Sequence, residues 1–209
     1  MASVNEAIVR EYFESLGFLV HQPQKYIVMA RSKRAEEELD FIVVHPLAPA
    51  EAPVVPLDEM SVGGRELTRF ARAVVSVRGW HTDRFSPAIL HLSPEIFRFA
   101  AAPAARGAAR VLGEGPVAKI LCLPDLPASA ALRHKALEML REKGVDAVLL
   151  FPTMLRELIR QVEVSKSYEK SDLLQTIRIL KNYDLLRDEQ LELFRRRPKR
   201  RREPGSPAA

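Results

Sequence analysis

The chain carries a single cysteine, Cys122, in 209 residues. That excludes an internal disulfide, and one thiol cannot make a zinc site by itself. No apolar run approaches the roughly 18–20 residues that span a bilayer. The opening stretch "MASVNEAIVREYF" lacks the basic-then-apolar layout of a signal peptide. These absences together predict a reducing, cytoplasmic setting with no membrane contact. Glycine-rich phosphate loops are missing too, since "SVGGRE" has neither P-loop nor dinucleotide spacing. His45, His81 and His91 stand at no metal-ligand spacing. Nothing in the chain is repeated at a fixed period.

What is present is a hydrophobic fraction of 47%, that of a folded globular chain. The net charge of +5 is unevenly spread. The stretch "RRRPKRRRE", residues 195–203, holds seven bases and one acid, so the remainder is close to −1. The protein is a near-neutral body with a basic tail. Such a block stays solvated, and it can contact phosphate backbones without reading sequence. A merely solubilising tail, or a targeting signal, is the alternative for Arg195, Arg196, Arg197, Lys199, Arg200, Arg201 and Arg202.

Periodicity predicts a helix over 4–16, where Ile8, Val9, Tyr12, Phe13 and Leu16 recur at helical spacing and Gly17 follows as a stop. Strands are expected at 18–22, 25–30 and 38–46. A long Pro- and Gly-rich surface loop is expected at 46–66. The strand "AVVSVRGW" follows, then a helical stretch at 93–113 with a break at Pro103. Strands at 117–123 and 145–151 alternate with a helix at 129–144. Helices at 153–163 and 171–186 lead to a last helical piece and the tail. Apolar strands alternating with helices imply parallel crossovers, and the early meander implies antiparallel pairing. The expectation is an α/β mixed sheet flanked by helices, with an αβββαβ core and C-terminal helices. The domain would cover 1–165, a helical extension 166–194 and a basic disordered tail 195–209.

The segment "AVVSVRGWH" interrupts a buried run with Ser76 and Arg78, two residues apart and so on one strand face. Together with an N-terminal helix ending in "ESLGF" and a strand carrying Asp40, this layout resembles the PD-(D/E)xK nuclease superfamily. That is the restriction-endonuclease-like fold, which includes Holliday-junction resolvases. The resemblance covers roughly residues 4–125, with 145–151 as a further strand. It implies a catalytic set at Asp40, Ser76 and Arg78, and a Mg²⁺ held by Glu6 and Asp40. Ser76 and Arg78 depart from it, because the family has an acid and a lysine there. A serine brings no charge to a metal, and an arginine cannot act as a proton acceptor.

Each residue also has a plainer reading. Glu6 closes a Ser3-Val4-Asn5-Glu6 capping box. Asp40 is a strand-edge acid bonded to loop amides. Ser76 and Arg78 belong to an ordinary strand whose arginine pairs with Asp40. A lost metal ligand would have to be replaced by Glu66, His81 or Asp83. Trp80 either stacks on a base or caps the core. Cys122 in a buried strand is inert. The stripe Leu173, Leu174, Ile177 and Leu180 packs onto the domain, with a homodimer contact left open.

The function expected from the resemblance is that of a nucleic-acid-associated protein, with DNA as partner, whose catalysis is impaired or absent. An active Mg²⁺-dependent endonuclease and a non-catalytic structural or interaction domain are the alternatives.

Overall fold

The computed structural model describes residues 3–23, 39–49, 54, 60–81 and 84–186. Helix α1, Val4–Ser15, begins at Ser3, whose side chain accepts from the Glu6 amide while Glu6 bonds back to the Ser3 amide. It buries Ile8, Val9, Tyr12 and Phe13, the apolar stripe read from the sequence. Gly17 turns the chain with φ +87°, a left-handed conformation that only glycine adopts without strain. Strands β1, Leu19–His21, and β2, Phe41–Val44, follow, and short helix α2, Gly64–Leu67, precedes β3, Arg72–Val77. Then come α3, Pro87–Leu92, a 3₁₀ helix at Pro94–Ala100, α4, Ala102–Leu112, and β4, Ala118–Leu123. Helix α5, Ala130–Glu142, leads to β5, Ala147–Leu150, then α6, Phe151–Gln161, and α7, Asp172–Asn182.

The sheet has five strands in the order β1-β2-β3-β4-β5. The first two pairings are antiparallel and the last two parallel. This is the mixed α/β sheet expected from the meander and the later strand–helix alternation. Strands β3, β4 and β5 are covered on both faces, which is why "AVV", "ILCL" and "AVLL" read as continuous apolar runs rather than alternating ones. One layer packs Phe41, Val43, Val75, Ile120, Cys122 and Leu149 against α1 and α6, with Ile177 of α7 closing it. The other packs Ile42, Val74, Leu121 and Val148 against Leu90, Phe99, Ala108 and Leu140 of the remaining helices. Lys181 holds α7 down by donating to the carbonyls of Ile159 and Val162 at the end of α6, both at 2.8 Å.

Three expectations about elements change. The loop expected at 46–66 is exposed at its start, as at Leu47, but its end turns inward. Met60 and Val62 are buried, Ser61 forms a parallel bridge to Val148, and α2 starts at Gly64. The edge amide and carbonyl of Val148 needed partners, and the Met60 carbonyl and Val62 amide supply them at 2.7 and 3.0 Å. The helical stretch at 93–113 breaks at Ala101, not at Pro103. Pro103 sits in the first turn of α4, where no intrahelical N–H is missed. Helix α3 was not expected at all, although Ser86-Pro87 is an N-cap followed by a first-turn proline. The strand expected at 25–30, the last helical piece and the tail lie outside the described residues.

Candidate functional site

The register of β2 and β3 decides where the polar residues go. Phe41 lies opposite Val75, so continuing the antiparallel ladder by one step sets Asp40 opposite Ser76. The Asp40 amide donates to the Val75 carbonyl at 3.2 Å and extends the pairing. Directly opposed residues bring their side chains together, and a residue two further along the partner strand is the diagonal neighbour on that face. Arg78 is that neighbour. The spacing of two in "SVR" is therefore what gathers Asp40, Ser76 and Arg78.

All three contacts of this group converge on one oxygen, Asp40 Oδ2. The Val77 amide donates to it at 2.6 Å and the Ser76 hydroxyl at 3.2 Å. Arg78 Nη1 stands 3.7 Å away and also donates to the Val77 carbonyl at 3.2 Å. Ser76 is fully buried, whereas Asp40 and Arg78 keep 28% and 17% of their side-chain surface. Burial pushes the Asp40 carboxyl above its ordinary pKa. The Val77 amide, Arg78 and Ser76 pull it back, and the charge of Glu6 raises it further.

Glu6 reaches this centre through its field while its carboxylate is used elsewhere. Its Oε2 accepts from the Ser3 amide at 3.3 Å and from Gln22 Nε2 at 3.3 Å. Gln22 Oε1 in turn accepts from Arg10 Nη2 at 2.9 Å, and the Arg10 guanidinium lies over the Phe41 ring. Glu6 is thus the N-terminal cap of α1, and only its charge is felt at Asp40. Sequence reasoning missed Arg10 and Gln22. Arg10 stands four residues after Glu6 on one helix, a spacing that could have marked it as part of the same surface.

The turn after β3 is held from both sides. The Arg78 amide donates to the Cys122 carbonyl at 3.0 Å. His81 Nε2 pairs with Asn5 Oδ1 at 2.7 Å and meets the Phe151 ring edge-on. Gly79 leaves room for Asn5, since a Cβ there would lie 2.7 Å from Asn5 Cγ. Trp80 stacks on the buried Phe85 with 40% of its surface exposed. Of the residues considered as replacement ligands, Glu66 caps α2 through the Gly63 amide, His81 is bound to Asn5, and Asp83 lies outside the described residues. Arg195 to Arg202 lie outside them as well. Cys122 is fully buried, and burial drives its thiol pKa far up, in keeping with an inert thiol.

The donor set does not fit Mg²⁺, which asks for oxygen ligands in octahedral array. One Asp40 oxygen is taken by three internal partners, Glu6 serves as a cap, Ser76 is neutral and a guanidinium already stands by the carboxylate. Among the described residues no group of three or more His, Cys, Asp or Glu side chains is arranged to hold a metal ion. Among the same residues no helix is long and apolar enough to cross a membrane.

Fold and site together define an α/β protein with a mixed five-stranded sheet and a buried polar centre where β2 and β3 meet. No family model, curated protein or solved structure matches the chain.

Proposed function

We propose that this chain is a nucleic-acid-associated protein of PD-(D/E)xK nuclease ancestry, on a restriction-endonuclease-like fold, in which the catalytic centre has become an internal polar anchor. The observation that carries this reading is the occupancy of Asp40 Oδ2. The Val77 amide, the Ser76 hydroxyl and Arg78 all engage that oxygen, and in this reading they replace the divalent cation and second acid of a nuclease. The arginine supplies the positive charge that a metal would otherwise bring, but it offers no site for an activated water. The element order supports the ancestry, with a helix, an antiparallel meander and parallel crossovers in the sequence the family would require.

Nucleic-acid association rests on the tail. Seven bases in residues 195–203 against a near-neutral body give a sequence-independent electrostatic hold. DNA is the partner in this reading, and the chain is not a catalyst of phosphodiester hydrolysis.

Two measurements on the full chain test it. Mg²⁺ and Mn²⁺ are titrated while thermal melting is followed, because a native metal site raises the melting temperature with metal concentration. No shift and no cleavage of DNA or RNA are expected. A metal-dependent rise accompanied by cleavage would establish the active endonuclease instead. Binding to a DNA duplex is then compared between the wild type and a chain in which the seven tail bases are glutamine. Loss of binding in the substituted chain is expected. Absence of binding by the wild type at low salt would leave only a structural or interaction domain.

A further inference from the structure

Trp80 is the only tryptophan in the chain, and it stands two residues after Arg78, beyond the end of β3. Two features of its setting are unlike a tryptophan that merely closes a core. First, the ring lies nearly parallel to Phe85, with centroids 5.6 Å apart and planes 14° from one another. Phe85 is itself fully buried and backbone-bonded, its amide donating to the Asp125 carbonyl at 3.1 Å, so it is a fixed backing. Second, 40% of the tryptophan stays in water. A core-capping indole would bury itself, since leaving apolar surface exposed forfeits hydrophobic stabilisation.

The residue next to the indole is pinned in place. His81 is tied to Asn5 and Phe151, and its amide donates back to the Gly79 carbonyl at 2.9 Å. A flat ring, supported from beneath and held by a turn pinned on both sides, is preorganised to receive a second flat ring. In a duplex the base faces are already stacked on one another, so the complementary partner is an unpaired base.

Resting on the nucleic-acid reading above, we propose that Trp80 is a stacking platform for an unpaired base of single-stranded nucleic acid. The local charges say what the platform does not do. Arg78 is matched by Asp40 and Arg84 by Asp125, each at 3.7 Å. Among the described residues of this turn, both arginines are thus ion-paired rather than free to draw phosphates. That pull comes from Arg195 to Arg202. The labour divides accordingly: the tail supplies salt-sensitive attraction that ignores strand structure, and Trp80 supplies the preference for single strands.

The sole tryptophan makes the test direct on the full wild-type chain. Single-stranded oligothymidylate is expected to quench the tryptophan emission and to shield it from acrylamide. A duplex of equal length is expected to bind without either effect. Trp80→Ala should weaken oligothymidylate binding about 5- to 150-fold, the range of one lost base–aromatic stack, while Trp80→Phe restores most of the affinity. If oligothymidylate binds but emission and acrylamide quenching stay unchanged, the platform is refuted and tail-mediated association stands. Binding by Trp80→Ala equal to that of the wild type would refute it too. If neither oligothymidylate nor duplex binds the wild type, the platform and the nucleic-acid reading fall together.

Discussion

Replacing Asp40 tests whether the polar centre is an anchor. Asp40→Ala removes the acceptor shared by the Val77 amide, the Ser76 hydroxyl and Arg78. A buried donor left without an acceptor costs about 1–3 kcal/mol. Val77 and the fully buried Ser76 carry most of that loss, because Arg78 keeps the Val77 carbonyl and some water. Removing a desolvated carboxylate offsets part of that, for a net cost of about 3 kcal/mol. For a chain of this size that lowers the melting temperature by about 6–12 °C.

Asp40→Asn keeps an oxygen for the Val77 amide and gives up the buried charge, so it should stay within about 1 kcal/mol of the wild type at neutral pH. The two variants also differ in their pH dependence. Burial raises the folded-state pKa of Asp40 above its unfolded value of about 3.9. Between those two values the folded chain holds a proton that the unfolded chain has released. The stabilising contribution is therefore complete below the unfolded value and is lost as pH rises through the folded one. The wild type should lose ground against Asp40→Asn as pH climbs from about 4 toward neutrality. Urea denaturation followed by circular dichroism at several pH values measures both effects. A wild type that gains on Asp40→Asn over that range would refute the reasoning. So would an Asp40→Ala midpoint indistinguishable from wild type.

Other outcomes follow from the same geometry. Ser76→Glu alone should destabilise by more than about 2 kcal/mol, because it buries a second carboxylate beside Asp40. Combined with Arg78→Lys it should acquire a melting temperature that rises with Mg²⁺ or Mn²⁺, and cleavage by the double variant would support the ancestry directly. Gly79→Ala should cost about 1–3 kcal/mol, since its Cβ would displace Asn5 and break the His81 contact, which urea midpoints would report. Tyr12→Phe removes the 2.7 Å bond to Glu157 that joins α1 to α6 and should cost about 1 kcal/mol by the same measurement. Duplex binding should weaken with salt at a log–log slope of up to about −6, and the slope should approach zero when the seven tail bases are glutamine.

Much of the architecture could be read from local pattern. The stripe Ile8, Val9, Tyr12 and Phe13 specified α1 because helical spacing puts those residues on one buried face. The runs in β3, β4 and β5 announced strands covered on both faces, since such strands are apolar at nearly every position. The spacing of Ser76 and Arg78 put them on one face before any pairing was known, because side chains alternate along a strand whatever its neighbours. The Ser3–Glu6 box was equally local, since both partners lie within one helical turn.

Long-range pairing decided the rest. That Asp40 faces Ser76 depends on the register of β2 against β3, which no single strand encodes. Trp80 was legible as an aromatic at a strand end, but its exposure and its backing by Phe85 depend on how the chain returns after the turn. Met60 to Val62 looked like loop because the signal there is proline and glycine. Their burial depends on the unpaired edge of β5, which lies more than eighty residues away in sequence. The sequence thus determined which residues carry charge and on which face of an element each one stands. Only the tertiary structure decided that Asp40 spends its charge on three internal donors, because the distances that make those bonds exist only once two strands are in register.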